Sequence, residues 1–392
     1  MENQTSNTQG AARGIDVAGL ERELASMWRE SARGADGAEA VGVTRVCVLN
    51  LIVYAPGVGG AESLDALLAE VAERMPCRAI VLAADRVSAE SRLDARVAMR
   101  CQPGGRGGGG QRVCGEQVTI EAAGEAIGAV ASAVEPLLVP DIPTFLWWQD
   151  IPHYEDKLFS RLVEVADRVV IDSAAFDHPA EDLARVARLV REHPRVMLSD
   201  LNWGRLTTWR DLVAGFWDAP ADREVLDGID SVEIEFTPPA AAAESVAAQA
   251  LLAAGWLASR LGWRATGAGE TGAGEPGRAY SLDAGGRTVR VWLRPANEAG
   301  PEAGALSRVT LRNERAGAEF VALKSPDWTK LETSARIGGA ATAGRVLAYE
   351  ARGEGRRLTR ELSLLARDRI YEEAVAAAAA LNAAVHPVGP RK

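Results

Sequence analysis

Between residues 43 and 199 short apolar runs alternate with stretches whose apolar residues recur every three or four positions, and few folds accept such a pattern. Residues 43–54 are β-rich, residues 63–75 carry Leu64, Leu67, Leu68 and Val71 at helical spacing before Pro76, and residues 78–83 form a short apolar strand. Strand, helix and strand in that order favour parallel pairing through a right-handed crossover. Residues 92–101 and 111–120 flank a glycine-rich stretch and read as a hairpin. The alternation continues with helices over 124–134, 155–165 and 179–192 and strands over 144–148, 169–172 and 196–199. An amphipathic helix marked by Val17, Leu20, Leu24 and Trp28 precedes it all.

A chain of 392 residues is long for one core, and its composition shifts at Ala219-Pro220-Ala221-Asp222. Beyond that point residues 229–236 alternate as a strand, and residues 241–261 form an alanine-rich helix. Val289, Val291 and Leu293, then Val309 and Leu311, then Phe320 and Ala322, alternate with polar neighbours, as in an antiparallel sheet with one wet face. Residues 358–385 close the chain as a helix. The expected fold is therefore α/β: a disordered start over 1–14, a mostly parallel α/β domain over 15–218, and an α+β domain with an antiparallel sheet over 225–387.

The balance of 54 acidic against 44 basic residues, a net charge of -10, argues against a nucleic-acid partner, since neutralising phosphates needs a basic surface. The first thirteen residues lack the apolar core of a signal peptide, and no run reaches the ~20 apolar residues of a membrane helix. Four cysteines fit a reducing compartment better than a disulfide scaffold, so the expected location is cytoplasmic, with no membrane partner. Cys101 and Cys114 lie equally far from the centre of the glycine-rich loop, and a symmetric hairpin sets them opposite each other, either as small buried hydrophobes or as an oxidisable pair.

Catalytic constellations are scarce. Gly267-Ala268-Gly269-Glu270-Thr271-Gly272 matches the dinucleotide fingerprint as a string but follows a helix and opens none. Gly57-Val58-Gly59-Gly60 does lie between a strand and a helix, yet Glu62 stands where close packing needs the last glycine. His153, His178, His193 and His386 show no metal-ligand spacing, and no phosphate loop, nucleophile elbow or Cys-x-x-Cys occurs. No catalytic residue, metal ligand or cofactor is expected.

Two segments stand apart from the alanine- and glycine-rich remainder. Thr144-Phe145-Leu146-Trp147-Trp148 ends a strand in two indoles, one of which is expected to leave the core side because successive side chains point to opposite faces. Asp200-Leu201-Asn202-Trp203-Gly204-Arg205 crowds polar groups at a strand-to-helix turn. Two readings stand for Asp200, Asn202, Trp203 and Arg205: a structural cap, with Asn202 capping the helix and Arg205 pairing Asp200, or a preformed pocket at the carboxyl ends of parallel strands. Trp147, Asp172, Asp200, Asn202, Trp203 and Arg205 are expected to converge at one edge of the sheet. Arg290, Trp292 and Arg294 share one face of their strand and Arg308 and Arg312 one face of theirs. If these faces coincide, they form either a solvated surface or a contact surface rich in arginine and tryptophan.

The two segments, together with Asn50-Leu51-Ile52-Val53-Tyr54, Pro76-Cys77-Arg78-Ala79-Ile80, Cys114-Gly115-Glu116-Gln117 and Asp167-Arg168-Val169-Val170-Ile171-Asp172-Ser173, resemble the signature blocks of the OpcA family of glucose-6-phosphate dehydrogenase assembly proteins. The resemblance implies a non-enzymatic activator that binds glucose-6-phosphate dehydrogenase and promotes its active oligomer in the oxidative pentose phosphate pathway. In cyanobacterial members redox control goes with cysteines toward the C-terminus, and this chain has none after Cys114. Trp147, Trp148, Asp172, Asp200, Asn202, Trp203, Arg205, Arg290, Trp292, Arg308 and Arg312 are the candidate partner or ligand contacts. The rival reading is a sensor or enzyme holding a sugar phosphate at Asp172, Asp200 and Arg205.

Overall fold

The computed structural model describes residues 15–33, 43–57, 60–103, 112–218, 220–238, 246–268, 276–297, 300–342, 344–349 and 353–385. The expected disordered start over 1–14 lies outside the described residues. In chain order the elements begin with α1 (Val17–Arg33), β1 (Val43–Arg45), β2 (Leu49–Pro56), α2 (Gly60–Ser63), α3 (Asp65–Arg74), β3 (Cys77–Asp85), β4 (Arg92–Pro103) and β5 (Arg112–Ala123). Next come α4 (Ile127–Val134), β6 (Thr144–Trp148), α5 (Lys157–Val165), β7 (Arg168–Ile171), α6 (Pro179–Glu192), β8 (Met197–Asp200), α7 (Leu201–Arg205), α8 (Thr207–Ala214) and α9 (Arg223–Asp227). The remainder is β9 (Ser231–Phe236), α10 (Ala248–Leu261), β10 (Arg264–Ala268), β11 (Arg278–Asp283), β12 (Thr288–Pro295), β13 (Leu306–Asn313), β14 (Ala318–Lys324), β15 (Lys330–Ile337), β16 (Ala340–Thr342), β17 (Val346–Ala348), α11 (Glu354–Leu362) and α12 (Arg369–Val385).

Two compact units result: Met1–Ile171 with Arg195–Ser199 and Gly353–Ala366, and Asp172–Pro194 with Asp200–Arg352 and Arg367–Lys392. The division does not follow the composition shift near residue 220. Helices α6 and α7 sit in the second unit because their apolar sides pack on α10 and α12, whereas α11 packs on α3 of the first. Burial, not chain order, assigns them.

The first unit is built on a sheet of order β5-β3-β2-β6-β7-β8, parallel through β5, β3, β2, β6 and β7, with β4 antiparallel on the outer side of β5 and the short β1 also paired to β5. The crossover through α3 runs one way across the sheet and the crossover through α4 the other, so right-handedness puts these helices on opposite faces. Both faces are then covered, which explains why Leu51, Ile52, Val53 and Tyr54 are all buried. The same covering corrects the expectation for Trp147 and Trp148: neither indole leaves the core, and each is 1% exposed. The hairpin of β4 and β5 sets Cys101 directly opposite Cys114 in backbone register.

In the second unit the sheet order is β10-β11-β12-β9-β13-β14-β15-β16, with β17 also paired to β15. Among the described residues every pairing in this sheet is antiparallel except that of β9 with β12. Helix α10 is buried on all sides from Ala248 to Ala258, as befits a helix packed between the sheet and α12. Gly255 makes that packing possible, since a Cβ there would collide with the Ala374 carbonyl and Ala378 of α12. The closing helix expected over 358–385 is two helices instead, because Asp368 starts α12 afresh: its Oδ1 accepts the Tyr371 N–H at 2.9 Å.

Candidate functional site

At the turn after β8 the chain builds a dense polar cluster within the second unit. Asp200 is fully buried, and its Oδ1 accepts the N–H groups of Ser173 at 3.0 Å and Asn202 at 2.9 Å. Asp200, not Asn202, is therefore the cap of α7, because a carboxylate one residue before the first turn reaches its free amides. Arg205 does not pair with Asp200 either. Its guanidinium forms a two-pronged pair with Asp172, at 2.6 and 2.8 Å, where the second carboxylate lies level with the fork. The Asn202 amide donates to Ser173 Oγ at 3.0 Å, while its Oδ1 is buried without a hydrogen-bond partner. Trp203 is 3% exposed and donates from Nε1 to Asp368 Oδ2 at 2.9 Å, with the Arg210 guanidinium 3.6 Å from its ring centroid. Tyr371 closes the cluster, its hydroxyl 3.4 Å from Asp200 Oδ2.

Asp172, Asp200, Asn202, Trp203 and Arg205 thus come together, whereas Trp147 and Trp148 lie in the sheet of the first unit. Sequence reasoning missed Asp368 and Tyr371; an aspartate just before an apolar helical stretch was the available signal. Burial, followed by the nearby Asp172 charge, lifts the Asp200 carboxyl from 3.8 to about 6. A carboxyl raised on folding binds its proton more tightly in the folded state, so stability falls as pH rises between about 4 and 6 and the full penalty, about 2–3 kcal/mol, stands above that window. Asp200→Asn keeps an oxygen for the two amides and removes the charge. Its melting temperature is expected to exceed that of the wild type at pH 7.5 and to converge with it at pH 4; a pH-independent difference in melts across that range contradicts the assignment.

The carboxyl ends of β2, β3 and β6, in the first unit, are stitched by their own side chains. Trp148 stacks on Tyr54 at 3.7 Å and 12° and meets Phe159 edge-on at 4.9 Å. Arg86 donates to the Tyr54 hydroxyl at 2.8 Å and to Asp156 at 2.5 Å, and the Gln149 N–H donates to the Tyr54 carbonyl at 3.1 Å. This strand order is the one that binds dinucleotides at the β2–β6 switch point. Among the described residues, those at the turn after β2 do not fit that ligand. Helix α2 has four residues, the helical run breaks at Leu64 with no side-chain cap, and Glu62 replaces the packing glycine. Among the described residues no group of three or more His, Cys, Asp or Glu is placed to hold a metal ion. No helix among them is long and apolar enough to cross a membrane.

On the sheet of the second unit, β12 and β13 both flank β9, and the registers align Arg290 with Ser231 and Arg312, Trp292 with Glu233 and Thr310, and Arg294 with Glu235 and Arg308. The two arginine faces therefore coincide, with an acidic row between them that the sequence reading overlooked. Arg312 donates to Glu233 at 3.0 Å and to Glu319 at 2.9 Å, and Arg308 lies 3.6 Å from Glu235. Arg308 and Arg312 keep 43% and 38% of their side chains exposed, so the face is charged, open and cross-linked by ion pairs.

The doubly wound sheet of the first unit and the open-faced, mostly antiparallel sheet of the second define an α/β chain. Residues 68–188 match the family model of the glucose-6-phosphate dehydrogenase subunit N-terminal domain and residues 196–375 that of the C-terminal domain. The chain belongs to the OpcA family. It is 35% identical over 215 residues to OpcA of Nostoc punctiforme, covering 53% of this chain and 44% of that protein. Against OpcA of Synechocystis sp. the figures are 31% over 210 residues, 54% and 41%. The chain thus spans about half the length of the curated relatives it matches. Among solved structures it resembles KijD10, a 3-ketoreductase from Actinomadura kijaniata, at 14% identity and a TM-score of 0.48, covering 86% of this chain and 96% of that one. An NAD-binding oxidoreductase from Klebsiella pneumoniae gives 10% identity, the same score and the same coverage. Neither likeness bears on the chemistry of this chain.

Proposed function

We propose that this chain is a non-enzymatic, cytoplasmic assembly factor that binds glucose-6-phosphate dehydrogenase and raises its activity by favouring the active oligomer, in the service of the oxidative pentose phosphate pathway. The observation that carries the reading is the pair of dehydrogenase-subunit family models tiling most of the chain. The side chains that bond one another across the strand ends, and the four-residue helix with Glu62 after β2, support a role without hydride chemistry. The rival sugar-phosphate reading is weakened because Arg205, its cation, is committed to Asp172 and only 12% exposed.

Of the candidate contacts, Trp147, Trp148, Asp200, Asn202 and Trp203 are buried in their own units and Asp172 and Arg205 are engaged with each other, which leaves Arg290, Trp292, Arg308 and Arg312 on the open sheet as the side chains most available to a partner. Arg312 is a poor site for charge reversal, since a glutamate there would face Glu233 and Glu319. Arg308 meets one carboxylate, Glu235 at 3.6 Å, where Arg312 meets two at closer range, so Arg290→Glu with Arg308→Glu is the less disruptive pair. In a pull-down of the dehydrogenase from the same cell the wild-type chain is expected to retain the enzyme, and the double variant to retain it at least ~10-fold less well while melting normally. Retention by neither chain overturns the partnership; equal retention by both removes this face from it.

A further inference from the structure

We propose that two copies of this chain join edge to edge through β4, so that the sheet of the first unit continues across a two-fold axis. Strand β4 is the outermost strand on its side: it pairs with β5 over all twelve residues without a register shift, and no other strand pairs with it among the described residues. A long unbulged edge offers a full row of backbone donors and acceptors to a further strand. Natural sheets blunt such edges with proline, a bulge or charged side chains, and charge repels a second copy only where like signs meet. Before Pro103 this strand has no proline, and of its four charged residues, Arg92, Asp94, Arg96 and Arg100, the first three alternate in sign along one face.

That alternation selects the occupant. In an antiparallel pair centred on Ala95, each Asp94 faces Arg96 of the second copy, and each Leu93 faces Val97 of the second copy. Residues directly opposite lie on the same face and in contact reach. The side chains are available, Asp94 being 40% and Arg96 41% exposed. Within one copy Asp94 stands directly opposite Glu121 of β5, a like-charge pair moderated by Arg96, which bonds Glu121, and by Arg92, 3.7 Å from it. Asp94 is itself held only loosely by the exposed Arg92, 3.5 Å away, and a second Arg96 arriving from across the axis adds a further cation to it. An isologous contact of this kind supplies each charge pair twice.

Sedimentation of the full chain over a range of concentrations tests the proposal, and it does not depend on any dehydrogenase. The wild type is expected to pass from monomer to dimer as concentration rises. Asp94→Arg and Arg96→Asp, taken singly, place like charges across the axis and are expected to weaken the dimer by ~10-fold or more. The double variant restores both cross-axis pairs and sets an arginine side chain opposite Glu121, so it is expected to recover most of the wild-type association. Circular dichroism melts establish that each variant is folded. Because a single variant could fail through misfolding, hydrogen exchange on the wild type gives a second readout: β4 amides exchange more slowly as the dimer fills. A monomer at every concentration, a dimer indifferent to both reversals, or a folded double variant that stays monomeric overturns the proposal.

Discussion

Replacing Arg78 by methionine is expected to cost about 3–5 kcal/mol of folding stability, because it strands a buried carboxylate. Arg78 and Glu116 face each other across β3 and β5, each 4% exposed, and the guanidinium donates from Nε to Glu116 Oε2 at 2.7 Å. The same guanidinium reaches Glu21 of α1 at 2.6 Å and the Leu137 carbonyl at 2.9 Å. Glu116 in turn accepts the Trp28 indole N–H at 2.6 Å, so one ion pair fastens α1 to the sheet. A methionine fills most of the volume but takes from the buried Glu116 charge the guanidinium that faces it. Adding Glu116→Gln is expected to return more than half of the loss. Denaturant melts of the single and double variants check this, and the loosening of α1 is read as early proteolysis near residue 33. A single variant as stable as the wild type contradicts the account.

Trp203→Ala is expected to be comparably severe, about 3–5 kcal/mol, and for a different reason. The indole is 3% exposed and lies under the Arg210 guanidinium and beside the Tyr371 ring, so its removal opens a cavity lined by groups that cannot close on one another. It also strips Asp368, the cap of α12, of a donor. Trp203→Phe keeps most of the volume and loses only the N–H, for an expected cost of about 1–3 kcal/mol. Thermal melts of the two variants give the order Ala below Phe below wild type. Any loss of dehydrogenase activation by Trp203→Ala should then follow the fraction unfolded. An unshifted melt with lost activation would mean that the indole is a contact and not core.

The parts of the fold that sequence periodicity conveyed are those in which a single element carries its own signal. Strand β2, helix α6 with Pro179 at its start, and the hairpin that sets Cys101 against Cys114 could be read because apolar spacing and chain-breaking residues act locally. What could not be read was set by distant partners. Both Trp147 and Trp148 are buried because helices cover both faces of a parallel sheet, and no local rule announces the second face. The break before α12 turns on Asp368 reaching back to Tyr371 and Trp203, and the fork of Arg205 goes to Asp172 and not the nearer Asp200, a choice made by strand ends far apart in sequence. The acidic row Glu233 and Glu235 went unnoticed between the arginine faces because it lies on a strand that precedes them by more than fifty residues.

The assembly-factor claim is tested most directly by titrating the full chain, under reducing conditions, into glucose-6-phosphate dehydrogenase from the same cell while following both activity and mass on a sizing column with light scattering. Activity is expected to rise to a plateau as the enzyme moves to a larger, more uniform species, and the chain alone is expected to reduce no NADP. A folded chain that leaves activity and mass unchanged, or one that oxidises glucose 6-phosphate by itself, contradicts the claim.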